Sequence, residues 1–184
     1  MKSFFFAFLS FVNIAHATFM IDTNSGFATS TDSKTQADIS DMTNHIFIGA
    51  SIGSKQRAFI GQNITIFSHQ LKSTSTDKID TLELGPRLTY FFDQDNVFYT
   101  TLGWNPYAKG KRTVSNATED ISGYALLAGL GAELKINKSF HIGGSLNYHS
   151  LNISKSIDSS NVATTVSDTY TSLMPMLNLS FRFK

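Results

Sequence analysis

The feature that most constrains this chain is the alternation of its closing stretch, Ser172–Lys184. Leu173, Leu177, Leu179, Phe181 and Phe183 occupy odd positions, with Pro175 among them. Met174, Met176, Asn178, Ser180 and Arg182 lie between. Period two sustained over this length specifies a β-strand with one greasy face and one mixed-polar face.

The same pattern recurs upstream. Strands are expected at about Phe19–Thr29, Met42–Ile52, Arg57–Leu71, Ile79–Phe92, Val97–Ala108, Ser122–Leu134 and Phe140–Ile153, which with the closing stretch makes eight. The fourth is the clearest: Leu82, Leu84, Leu88, Tyr90 and Phe92 face one way, and Thr81, Glu83, Gly85, Arg87 and Thr89 face the other. In the third, Gln62 interrupts the greasy face set by Ala58, Ile60, Ile64 and Ile66. Polar segments at 30–41, 72–78, 109–120 and 154–167 read as loops, and 53–56, 93–96 and 135–139 as short turns. Asp93-Gln-Asp-Asn96 carries the Asx chemistry of a tight turn.

The chain opens with one lysine, about a dozen apolar residues and Ala15-His16-Ala17. That is the layout of a secretory signal peptide spanning residues 1–17 and cleaved after Ala17, leaving 18–184 as one domain. The run is too short for a comfortable membrane-spanning helix, and no other segment approaches the roughly 20 apolar residues one needs. Fifteen Lys+Arg against fourteen Asp+Glu leave a net charge of +1, which gives no electrostatic reason to expect nucleic acid. The absence of cysteine excludes a disulfide framework, thiol chemistry and a cysteine zinc site.

Three features agree: an even number of strands, strand lengths suited to tilted crossings, and connections that alternate long and short. On its alternating hydrophobics and terminal Phe181 and Phe183, the closing stretch resembles the last strand of bacterial outer-membrane barrel proteins. Lys184 departs from that pattern, because the family usually ends on the aromatic itself. Over the whole of 18–184 the chain resembles the small eight-stranded barrels of the OmpA-transmembrane and OmpX kind. The resemblance implies an all-β, eight-stranded antiparallel up-and-down transmembrane barrel in the outer membrane of a Gram-negative cell. Both chain ends would lie on the periplasmic side, and the last strand would pair with the first. The partners implied are outer-membrane lipids and lipopolysaccharide, with the barrel-insertion machinery engaging the closing strand.

In such a barrel the inward set includes Asp22, Glu83, Arg87, Glu133 and Arg182. Eight strands enclose a space that side chains just fill, and charges buried there must pair. A lumenal ion-pair network is therefore expected, with Arg87 and Arg182 set among the three carboxylates. Phe92, Phe98, Phe140, Phe181 and Phe183 fall at the short-turn end and Trp104, Tyr124 and Tyr148 nearer the loops, as two interface girdles would.

No catalytic, cofactor or metal site is expected. The lipid A deacylase family of eight-stranded barrels uses a His-x-Ser arrangement, whereas His149 and Ser150 are adjacent and alternation sends them to opposite faces. His141 and Ser145 share a face but stand about 13 Å apart along a strand. His45, His141 and His149 read as isolated polar residues of the lumen at different heights. Gly129, Gly131, Gly143 and Gly144 would let neighbouring strands or bulky side chains approach. Lys109, Lys111 and Arg112 read as loop cations within reach of lipopolysaccharide phosphates. The role expected is a non-enzymatic, envelope-structural or surface-interaction barrel. The alternatives are a narrow ion or small-solute channel, a lipid A-modifying enzyme, and a soluble lipocalin-like barrel with its apolar face inward.

Overall fold

A computed structural model describes residues 17–31, 37–53, 55–72, 76–115 and 117–183. The expected signal peptide, but for Ala17, and Lys184 lie outside the described residues. Eight strands follow one another: β1 (Phe19–Thr31), β2 (Asp38–Ile52), β3 (Ala58–Lys72), β4 (Thr76–Phe91), β5 (Phe98–Val114), β6 (Ala117–Lys135), β7 (Phe140–Ile157) and β8 (Ala163–Phe183). Each pairs antiparallel with the next, and β8 closes onto β1 from Phe19↔Phe183 to Gly26↔Met176. Closure pairs the edges of β1 and β8 with each other over these residues, as strands standing in hydrocarbon require.

The apolar alternation decides the faces. Ile46, Ile48, Ile66, Leu82, Leu102, Leu126, Leu130, Leu146, Leu173 and Leu177 are exposed on the outside of the barrel. Their sequence neighbours turn inward and are buried. A one-residue slip would exchange the two sets, so the pattern fixes the register. Phe92, Phe98, Trp104, Tyr124, Tyr148, Phe181 and Phe183 are exposed outward, and Phe140, half-buried, packs on Phe181 at 4.9 Å between ring centroids.

Local chemistry shapes the turns. Asp93 accepts the backbone N–H of Val97 at 2.9 Å and of Phe98 at 2.8 Å, and Asn96 supplies a positive φ of 56°. Gly53, at φ 78°, opens the turn after β2, where a side chain would be strained. Beyond β7, Asp158 Oδ1 accepts from Ser160 and Val162, both at 2.9 Å.

Among the described residues, all four polar segments expected as loops contain strand, and 109–120 and 154–167 are mostly strand. β5 and β6 leave only residues 115–116 between them, and β7 and β8 only 158–162. The pairing Lys155↔Thr165 to Ile157↔Ala163 lies wholly inside a stretch read as loop. These extensions are built of Thr, Ser, Lys and Asp, so no apolar period announces them. The ladder continues because threonine favours the pleated backbone and because a growing hairpin satisfies its own N–H and C=O groups.

Besides register shifts at Ser122–Gly123 in the β6–β7 pair and Ile153–Lys155 in the β7–β8 pair, an irregularity of β5 interrupts the wall. The β4–β5 register shifts between Leu84 and Arg87, and the β5–β6 register between Asn105 and Ala108. β5 carries the extra residue, at Pro106, beside Pro86 of β4. Neither proline can donate to a ladder. Gly85 is required here, since a Cβ would collide with the Trp104 carbonyl and the Pro106 ring.

Candidate functional site

The inward residues form a column of layers through the barrel. At the short-turn end Met20, Phe47, Phe59, Phe91 and Tyr99 make an apolar cluster. Arg182 pairs with Glu133 and places its guanidinium over the Phe91 ring at 4.3 Å and the Phe59 ring at 5.7 Å. Arg87 donates to Asp22 at 2.6 Å and sits 4.9 Å from the Phe47 ring centroid. Asn24 donates to the same Asp22 oxygen at 2.7 Å, and Asn178 donates to the Tyr99 hydroxyl.

The middle layer is centred on Glu83. Its carboxylate faces His149 Nε2 at 3.0 and 3.1 Å, and it accepts from Asn105 at 3.1 Å and Thr81 at 3.1 Å. Asn105 and Asn63 both donate to Thr65, whose hydroxyl also meets His45 Nδ1 at 2.8 Å. All of these side chains are buried.

Above lies a second apolar cluster of Phe67, Ile79, Ala108, Ile121, Ala125, Leu151 and Ile153, with Val166 and Tyr170 packed against it. The Phe67 ring stands 4.4 Å from the His149 ring. At the mouth, His69 contacts Asp41 at 2.6 Å, while Arg112 reaches Asp77 at 3.1 Å and Asp168 at 3.0 Å.

The five expected lumenal charges are all inward and buried, and they separate into distinct pairs. Arg87 takes Asp22, Arg182 takes Glu133, and Glu83 is met by His149 with neutral donors. His149 is thus a carboxylate partner and not the isolated polar residue expected. His45 is held by Thr65. His141 lies near the turn end across from Ser180. Ser145 bonds to Asn178 and Asn147. Ser150 faces outward beside Leu126, while His149 faces inward beside Leu127. Among the described residues no group of three or more His, Cys, Asp or Glu is placed to hold a metal ion.

Arg112 is a correction. Expected as a solvated loop cation, it lies on β5 beyond the bulge, which turns its side chain inward to join β4 and β8 through two carboxylates. Lys109 and Lys111 stay exposed. Alternation puts Phe47 and Phe91 on the inner faces, but nothing in a single strand shows that they, Phe59 and Phe67 gather into layers.

No family model and no curated protein matches the sequence. Solved structures do match. Neisserial surface protein A is similar with a TM-score of 0.53 at 12% identity, over 91% of this chain and 97% of that one. A major outer membrane protein from Thermus thermophilus gives 0.52 at 12%, over 91% of this chain and 100% of that one. The translocator domain of autotransporter NalP from Neisseria meningitidis gives 0.46 at 14%, covering 95% of this chain, which spans 64% of that domain. At such identities the likeness concerns the fold. The chain has the fold of the small outer-membrane barrels: eight antiparallel strands, up and down, closed on themselves.

Proposed function

We propose that this protein is exported by residues 1–17, inserted into an outer membrane through its closing strand, and serves there as a sealed, non-catalytic barrel. Its role on this reading is envelope-structural or surface-interacting, carried by the four hairpin ends on the loop side. The observation that carries the sealed reading is the pair of apolar layers bracketing the polar middle. Phe47, Phe59 and Phe91 on one side and Phe67, Ile79 and Leu151 on the other are each at most 1% exposed. An ion would have to shed its hydration to pass either layer, which costs far more than the polar middle returns.

The same layers weigh against catalysis. Glu83, His149 and Ser172, the last directly across the β7–β8 pair from His149, are types that could serve acyl transfer. They lie beneath the Phe67 ring and Leu151, where a lipid substrate has no approach. Planar-bilayer recording of the purified, folded barrel tests the sealed reading. No stable open events are expected, and reproducible conductance steps would establish the channel alternative instead. Lipid A masses unchanged on overexpression are expected as well; a shifted mass would reinstate the enzyme.

A further inference from the structure

The outward wall from β3 to β7, centred on β4, β5 and β6, carries an apolar groove of about 520 Å³. Ile60, Leu88, Leu102, Trp104, Leu126 and Tyr148 are among the residues that line it. Farther toward the hairpin ends of β5, β6 and β7 lies one cross-strand row facing outward: Lys109↔Ser122↔Lys155. Leu82 and Thr165 flank it, so the row holds two cations and no carboxylate. Lys109 rests 5.3 Å from the Tyr107 ring. Lys111, one row further out, faces Asp80 and Asp120 on its two neighbours, so that row carries no excess positive charge. Two strand spacings separate the backbones of Lys109 and Lys155 by about 10 Å, and five residues of β5 put Lys109 about 15 Å above Trp104.

We propose that this wall is a binding site for one bis-phosphorylated glycolipid of the outer leaflet. One acyl chain lies in the groove between Trp104 and Tyr148, and the headgroup phosphates meet Lys109 and Lys155 with Ser122 between them. The assignment rests on the outer-membrane reading. Its chemistry is a charge-assisted pairing of ammonium with phosphate, set above an apolar slot of matching orientation. Two cations on separate strands suit two phosphates better than one, which selects this lipid over a phospholipid with a single phosphate.

Native mass spectrometry of the folded chain in detergent tests the site, with bis-phosphorylated hexa-acyl lipid A and phosphatidylglycerol as probes. One lipid A is expected per barrel, bound well above phosphatidylglycerol. K109Q/K155Q should weaken retention about tenfold or more at low salt. A128F, which fills the groove, should weaken it with the cations intact, and K111Q should leave it unchanged. A folded K109Q/K155Q barrel that retains lipid A as the wild type does would overturn the site, as would equal retention of phosphatidylglycerol. A wild-type chain without a heat-modifiable gel shift would overturn the outer-membrane reading on which the site rests, whereas an intact shift with lipid A retained by K109Q/K155Q would overturn the site alone.

Discussion

Arg87 and Arg182 each enter the lumen with a carboxylate partner and an aromatic ring beside the guanidinium. The planar guanidinium suits both contacts, since its edge donates and its face stacks. Such pairs matter most when one half is taken away, because the remaining charge is stranded away from water. Arg87→Met should therefore destabilise the barrel by about 3–5 kcal/mol, whereas the double variant Asp22→Leu/Arg87→Met should recover most of that loss. Urea unfolding midpoints in a fixed detergent measure both. Equal losses in the single and double variants would mean that packing, and not charge compensation, governs the site. Glu83 differs from Asp22 and Glu133 in pairing with a histidine and not an arginine. Its neighbours are His149, Asn105 and Thr81, none of which alternation alone could have matched to it. Pairing across a barrel depends on shear, and that is a property of all eight strands together.

Strand number, order and facing were legible in the sequence because each crossing has one face that must be apolar. Leu82, Leu84 and Leu88 could face only one way, and Glu83 and Arg87 only the other. Strand ends were not legible. Residues 109–114, 117–120, 154–157 and 163–167 belong to strands, yet they have no face that hydrocarbon must select. The bulge at Pro106 leaves no mark in the alternation, and Arg112, read as a loop cation, lies on the strand beyond it. It instead bridges Asp77 and Asp168 inside the mouth. The β7–β8 tip, by contrast, contributes little to the inner column. Replacing Lys155–Thr165 by a two-residue turn should leave a barrel that still folds and keeps its heat-modifiable shift, with an unfolding midpoint close to that of the full chain. A deletion that abolished folding would show that the tip is needed to set the register of closure.

For the molecule as a whole, the arrangement inverts the usual soluble protein. Leucine, isoleucine and aromatic side chains cover the outside, while Asp22, Glu83, Arg87, Glu133 and Arg182 are buried within. That distribution is stable only where the outside meets lipid and every backbone group is paired by ring closure. The inner column then alternates apolar and polar layers from the turn end to the mouth. The polar layers pin neighbouring strands through directional bonds, and the aromatic layers fill the cross-section. Among the described residues, 109–114, 117–120, 154–157 and 163–167 carry the strands on toward the loop side. The most direct test is a heat-modifiable gel shift on membranes washed with carbonate. A closed, lipid-facing barrel should stay in the membrane pellet and migrate differently before and after boiling. Release into the carbonate supernatant, or identical migration with and without boiling, would contradict that arrangement.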